Sequence, residues 1–135
     1  MRLWKKKKML NIFNGFFKIS DELTIFPGFS FEQFKKTKFY RNQDGMRLIY
    51  LSGQQLIDNR KYIVSLFFRN EKIYMVSLIC CDKEVSEKDE AKRKILHDDI
   101  LHELGINQQE DYNWGKICSN YDVRSNVSSI DITYF

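Results

Sequence analysis

The stretch KYIVSLFFRNEKIYMVSLIC, residues 61–80, decides the fold. Two runs rich in β-branched and aromatic residues, 61–68 and 73–80, flank the polar connection 69–72, and this pattern predicts a β-hairpin. Side chains alternate along a strand, so the even-numbered residues 62–68 share one face and Ile63, Ser65 and Phe67 share the other. Both faces are apolar, which is expected of a central strand pair with another layer on at least one side.

The segment before the hairpin predicts two short strands, a short helix and a third strand. Residues 16–26 contain strand-forming residues, interrupted by a turn-like break at residues 20–22. Ser30 and Gln33 have the spacing of a capping box, which predicts that a short helix begins there. Residues 46–51 predict a strand, and residues 52–60 predict a loop or a continuation of that strand that bends at Gly53.

The segment after the hairpin predicts a long helix and a final pair of strands. Ser86, with Asp89 three residues later, predicts the helix start, and Gly105 predicts its end. The apolar stripe expected to face the core consists of Ala91, Ile95, Leu96, Ile100, Leu101 and Leu104. Beyond the helix we expect a polar loop at 106–113, a strand at 114–122, a turn at 123–129 and a strand at 130–135.

Short connections between neighbouring strands favour an α+β fold with an antiparallel sheet of about five or six strands. One long and one short helix are expected to pack on one face of that sheet. At 135 residues the chain is long enough for one domain, which we place at residues 16–135, with residues 1–15 as a basic N-terminal extension.

The net charge of +4 has a local origin. Residues 1–8 (MRLWKKKK) hold five positive charges and no negative one, so residues 9–135 have a net charge of −1. A nearly neutral domain gives no electrostatic reason to bind nucleic acid. We therefore expect neither a nucleic-acid nor a membrane partner, and either alternative would depend on the lysine-rich N-terminus.

The N-terminal segment also bears on targeting. Asn11, Asn14 and Gly15 interrupt its apolar stretch, so it does not have the pattern of a signal peptide. The alternative is an amphipathic membrane anchor whose apolar residues are Leu3, Trp4, Met9, Leu10 and Phe13. Met9 is also a candidate start, which would make residues 1–8 an upstream extension.

The three cysteines indicate a reducing compartment. Cys80 and Cys81 are adjacent and Cys118 is single, so the chain has no disulfide framework. We therefore expect a cytoplasmic protein, with Cys80 and Cys81 at the end of a strand, one side chain in the core and the other pointing outward.

No constellation of residues predicts catalysis. Phosphate-binding loops and nucleophile elbows are absent from the sequence. His97 and His102 lie about 140° apart around a helix, so they do not converge on one metal, and we expect both on a solvated face. Cys118 acting with either histidine is the alternative of a small enzyme of unknown class, although its position near Trp114 is typical of a core residue. We expect no catalytic residue, no cofactor and no metal.

The most distinctive stretch is the C-terminal one, residues 114–134. It predicts a twisted hairpin with a structured turn, in which Gly115 indicates a close backbone approach. A recognition edge is compatible with that hairpin, because aromatic and arginine side chains are preferred in interface hot spots. The candidate partner-binding residues are Trp114, Tyr121, Asp122, Arg124 and Tyr134.

Two further patterns carry a resemblance. The helix end LHELG (101–105) is followed by YxWGKIxSxYDxRSxxSSIxIxY (112–134), and PGFSFEQFKKTKF (27–39) precedes a strand meander. Together these resemble small uncharacterised single-domain bacterial proteins of the Firmicutes type, which are often immunity proteins of polymorphic toxin systems. The resemblance implies a non-catalytic domain that binds a partner toxin through acidic or aromatic surfaces, and it implies no catalytic residues.

Overall fold

The computed structural model describes residues 9–135. The basic run at residues 1–8 lies outside the described residues. The helices are α1 (Phe31–Lys35) and α2 (Glu90–Glu103), and a single 3-10 turn at Glu87–Asp89 precedes α2. The strands are β1 (Phe17–Ser20), β2 (Leu23–Ile25), β3 (Leu48–Tyr50), β4 (Gln55–Ile57), β5 (Arg60–Arg69), β6 (Lys72–Cys80), β7 (Gln109–Tyr112), β8 (Gly115–Asp122) and β9 (Val127–Tyr134).

The strands form a two-stranded hairpin, β1–β2, and a seven-stranded antiparallel sheet. The order of the larger sheet is β3-β5-β6-β9-β8-β7, and β4 pairs with β5 on the same edge as β3. The α+β class with an antiparallel sheet is confirmed, but five or six strands was too low a count. Residues 106–113 were expected to be a loop, whereas Gln109–Tyr112 is a polar edge strand formed by backbone pairing with β8.

The predicted hairpin of residues 61–80 is the centre of the sheet. Arg69 pairs with Lys72, so its connection is the two-residue turn Asn70-Glu71, shorter than the predicted 69–72. Both turn residues have positive φ, 51° and 63°, as a tight turn between twisted strands requires. A bulge beyond Phe67 leaves Tyr74 as the extra residue of β6.

One face of the large sheet is covered, and its cover has two parts. Helix α2 packs over β6, β8 and β9. The β1–β2 hairpin and α1 lie over the other half, where the Phe68 ring contacts those of Phe29, Phe31 and Phe34. The predicted capping box starts α1, because the Ser30 hydroxyl accepts from the Gln33 N–H while the Gln33 side chain accepts from the Ser30 N–H. Both helices therefore pack on one face of the sheet.

Helix α2 turns most of its predicted apolar stripe to the core, since Ile100 and Leu101 are buried and Leu96 and Leu104 pack against the buried cluster, but the start of the stripe faces solvent. Ala91 and Ile95 are exposed, whereas His97 is buried with Ile100 and Leu101. The expectation that His97 is solvated was therefore wrong. Its Nε2 accepts a hydrogen bond from the backbone N–H of Cys80 at 3.0 Å, and this contact with β6 replaces an apolar one. Gly105 ends the helix with φ +78°, as predicted.

Residues 9–15, the described part of the predicted extension, pack on the domain. Met9 and Leu10 are buried, and the Met9 N–H donates to Asp58 Oδ2 at 2.7 Å. Leu10 forms an isolated antiparallel bridge with Phe17. The amphipathic-anchor alternative therefore loses two of its five apolar residues, Met9 and Leu10, to the core. No helix formed by residues 9–135 has the length and hydropathy needed to cross a membrane.

Candidate functional site

The five residues expected to contact a partner lie at the two ends of the β8–β9 hairpin. Trp114 and Tyr134 are at the end where Gly115 pairs with Tyr134. Tyr121, Asp122 and Arg124 are at the opposite, turn end, where Asp122 pairs with Val127. The rise of a strand separates the two ends by roughly 24 Å. The structure therefore places the five residues in two separate groups.

The rings of Trp114 and Tyr134 hold the N-terminal turn. Trp114 stacks on Tyr112 with a centroid separation of 5.2 Å, and its Nε1–H donates to the Ile12 carbonyl at 2.8 Å. Tyr134 is 4% exposed, and its hydroxyl donates to the Gly15 carbonyl at 2.8 Å. Burial raises the pKa of the Tyr134 hydroxyl. In this fold Tyr134 is a packing residue with no ring surface to offer a partner.

Of the three candidate residues at the turn end, Asp122 and Arg124 are exposed. Asp122 Oδ1 accepts from the Arg124 N–H at 3.0 Å, which orders the turn. The Tyr121 hydroxyl donates to Asn126 Oδ1 at 2.7 Å, and Asn126 Nδ2 donates to the Glu87 carbonyl at 2.9 Å. The turn is thus tied to the segment that begins α2, so its exposed side chains have a fixed platform.

The most extensive candidate surface is the second face of the seven-stranded sheet, which we term the uncovered face. The helices and the β1–β2 hairpin pack on the opposite side, so no helix or hairpin of residues 9–135 covers it. Apart from the buried Ser65, the side chains of this face are exposed or half-buried, with Tyr50 66% and Ile63 39% exposed. Its apolar residues are Leu48, Tyr50, Leu56, Ile63, Phe67, Tyr74, Met75, Ile79 and Val127.

The strand register arranges most of these apolar residues in two rows, which the Ser65–Ser77 pair separates on β5 and β6. Phe67 lies between Leu48 on one neighbouring strand and Met75 on the other. Ile63 is directly opposite Ile79, two residues further along the same face than Ser65 and Ser77. The ring of Tyr74 is 6.0 Å from that of Phe67, and the Arg69 guanidinium lies 4.3 Å from the Tyr74 centroid. An apolar strip therefore runs across β3, β5 and β6.

A polar strip lies beside the apolar one, on β8 and β9. Cys118 is directly opposite Asp131, and Asp131 is next to Ser77 on β6. Asn120 Nδ2 donates to Asp131 Oδ2 at 2.5 Å, and the Cys118 thiol donates to Asn120 Oδ1 at 3.0 Å. Asp122 continues this strip to the turn end. The uncovered face is thus apolar on one side and hydrogen-bonding on the other.

The geometry separates the groups of the enzyme alternative. The Cys118 thiol lies on the uncovered face and is half-buried, rather than in the core as expected. His97 belongs to α2 and is buried on the opposite face of the sheet. Burial, with the charge of Asp131, raises the pKa of the Cys118 thiol, which disfavours the reactive thiolate. Cys80 is buried and Cys81 half-buried, as predicted for a strand end. Within the described part of the chain, His, Cys, Asp and Glu form no group of three that could hold a metal ion.

The residues of the uncovered face carry a sequence signal that our site prediction did not use. The alternation in 61–68 already places Ile63 and Phe67 on a second apolar face. Sequence alone does not say whether another layer covers that face. Only the tertiary structure shows that both helices and the N-terminal hairpin pack on the same side of the sheet.

Comparison of the chain with models of protein families, with curated proteins and with solved structures found no match. The resemblance to immunity proteins therefore gains no support from a relative. What the chain does has to be inferred from its own surface.

Proposed function

We propose that this chain is a non-catalytic, cytoplasmic protein-binding domain, a bacterial immunity protein that neutralises a partner toxin by binding it through the uncovered face. The observation that supports this most is the apolar strip through Leu48, Phe67 and Met75, on a sheet face that no helix or hairpin of residues 9–135 covers. Large exposed apolar patches on globular domains mark interaction sites.

The composition of the face fits a protein partner of a particular kind. Protein interfaces combine an apolar centre rich in aromatics and methionine with a polar rim. Phe67 and Met75 supply the apolar centre, and the network around Asp131 supplies hydrogen-bonding groups beside it. Asp122 and Arg124 lie at the turn end of the same face as exposed rim charges. The partner surface that fits is apolar with polar groups along one side.

A neutralising protein needs no chemistry of its own, only a surface that covers a partner. The separation of Cys118 from His97 by the thickness of the sheet supports this class of function over the enzyme alternative. The resemblance of residues 27–39 and 101–134 to immunity-type proteins supports it as well.

The test is binding by matched variants. Met75→Lys places a charge at the centre of the uncovered face, and Ile95→Lys places the same charge on the exposed surface of α2, where Ile95 is 61% exposed. The bait is each purified protein, and the candidate partner is the co-expressed product of the adjacent reading frame. We expect Met75→Lys to weaken the complex at least about 100-fold and abolish growth protection, because a hot-spot change costs roughly 2–4 kcal/mol. Ile95→Lys should bind and protect like the unmodified protein.

Three results would count against the proposal. Equal binding by both variants, each shown to be folded by circular dichroism, would remove the uncovered face as the site. Failure of the adjacent product, and of every protein in a mass-spectrometric pull-down, to discriminate between the variants would remove the protein-binding function. A dimer that Met75→Lys converts to a monomer would assign the face to a second copy of this chain.

A further inference from the structure

A second surface, unrelated to the uncovered face, stands out at the N-terminal turn of residues 11–15, which we call the Phe13 turn. Phe13 lies at its apex and is 90% exposed, the most exposed large apolar side chain among the described residues. Phe16, just after the turn, is 44% exposed and stacks on Phe26 at a centroid separation of 5.3 Å. Two aromatic rings that are three residues apart in the sequence are therefore exposed to solvent.

The turn that carries Phe13 is held firmly. Asn11 Oδ1 accepts from the Phe13 N–H at 2.9 Å, and the Asn11 carbonyl accepts from the Gly15 N–H at 2.8 Å. The carbonyls of Ile12 and Gly15 accept from Trp114 and Tyr134, each at 2.8 Å. A fixed turn favours binding through the aromatic ring that it projects, because a ring already held in place loses little further conformational freedom on binding.

A groove of about 570 Å³ lies beside the ring. Its lining includes Ile12, Phe16, Lys18 and Leu104, so it is largely apolar with one cationic side chain. The Lys18 ammonium is 3.0 Å from the exposed Asp21 carboxylate. The apolar surface around Phe13 is thus broader than one side chain.

Charge indicates which occupant fits this surface. Arg2 and Lys5–Lys8 precede Met9 directly in the sequence and contribute five positive charges without a negative one. Aromatic residues at the interfacial level and adjacent polybasic segments together favour an anionic bilayer surface. A single apolar anchor binds membranes only weakly and needs a second signal, which the basic run supplies.

We propose that the Phe13 turn docks the protein peripherally on an anionic lipid bilayer, with Phe13 inserted at the interface and the positive charge of the preceding sequence favouring anionic headgroups. This goes beyond the proposed partner-binding function. It uses a surface that is separate from the uncovered face. It replaces the amphipathic-anchor alternative, whose Met9 and Leu10 are buried in the core.

The test is co-sedimentation of the full chain with vesicles of phosphatidylcholine alone and with vesicles of phosphatidylcholine mixed with phosphatidylglycerol, which gives the surface a negative potential. We expect binding to the anionic vesicles only. Phe13→Ala should lower the partition coefficient about tenfold, as expected for the lost burial of one aromatic side chain. Replacement of Lys5–Lys8 by glutamine should abolish binding, and raising the salt to about 0.5 M should weaken it.

The matched control is Ile95→Ala, which removes an exposed apolar side chain from the outer surface of α2. It should bind like the unmodified chain. Absence of binding to anionic vesicles would overturn the proposal and leave the Phe13 turn to a protein partner. Unchanged partition of Phe13→Ala, which is exposed enough to leave folding intact, would overturn the insertion of the ring. Neither result would bear on the uncovered face.

Discussion

At the scale of single residues, two positions have properties that their local sequence only half reveals. Gly115 was expected to mark a close backbone approach, and this is confirmed, since a Cβ there would overlap the carbonyl oxygen of Thr133 on β9. His97 was expected in solvent and is instead fully buried. The difference is that Gly115 meets β9 within a single β8–β9 hairpin, whereas the burial of His97 depends on how α2 is rotated over β6.

The buried His97 predicts a pH dependence of stability. Burial, followed by the charge of Arg93, lowers the pKa of His97 from 6.5 to about 4. The unfolded chain therefore binds a proton that the folded chain does not when the pH lies between about 4 and 6.5. The free energy of unfolding is therefore unaffected by His97 above pH 6.5. It falls as the pH drops through that window, by on the order of 2 kcal/mol at pH 5, because protonation favours the unfolded chain.

Urea unfolding at pH 7.5 and pH 5 measures this loss. His97→Gln, which keeps a side-chain acceptor near the Cys80 N–H, should reduce the difference between the two pH values by about that amount. His102→Gln, on the exposed side of the same helix, should leave the difference unchanged. A His97→Gln protein with the pH dependence of the unmodified chain would contradict the prediction.

At the scale of elements, local signals located most helices and strands, and failed where pairing alone makes the element. The capping box at Ser30 and the strands of residues 61–80 carry their own signals, and both formed. Strand β7 has the sequence QEDY, which has no apolar alternation, so only its pairing with β8 makes it a strand. Edge strands of this kind are polar because their outer edge meets water.

The tight β5–β6 turn offers a stabilising change. Glu71 has φ 63°, a left-handed conformation that costs a residue with a Cβ roughly 1 kcal/mol relative to glycine. Glu71→Gly should therefore raise the free energy of unfolding by about 1 kcal/mol, measured by urea denaturation. Lys72→Gly, the same replacement in the adjoining strand, should lower it by roughly 0.5–1 kcal/mol. Destabilisation by Glu71→Gly would show that the turn relaxes to another conformation.

At the scale of the whole molecule, the packed domain includes residues that the basic composition of the N-terminus had assigned to an extension. Residues 9 and 10 follow a basic run, yet Met9 and Leu10 are buried against the β1–β2 hairpin and the large sheet. Leu10 also pairs with Phe17. The N-terminal segment is therefore a part of the packed core from Met9 onward.

This packing predicts a contrast between two neighbouring apolar residues. Leu10→Ala should destabilise the fold by about 2–5 kcal/mol, because it removes buried contacts and leaves a cavity. Phe13→Ala should change stability by less than about 0.5 kcal/mol, because its ring is in solvent. Thermal and urea unfolding compare the two, and a neutral Leu10→Ala would mean that the segment contributes nothing to the core.

By itself the sequence determined the α+β class, the central hairpin, the capped short helix and the end of the long helix at Gly105. These follow from periodicity, capping and turn chemistry, which act over a few neighbouring residues. Only the tertiary structure decided that His97 is buried, that Tyr134 is a packing residue, and that Phe67 and Met75 lie on a face that no other described element covers. Those outcomes depend on which side of the sheet each distant segment takes, and that choice is made by packing over the whole chain.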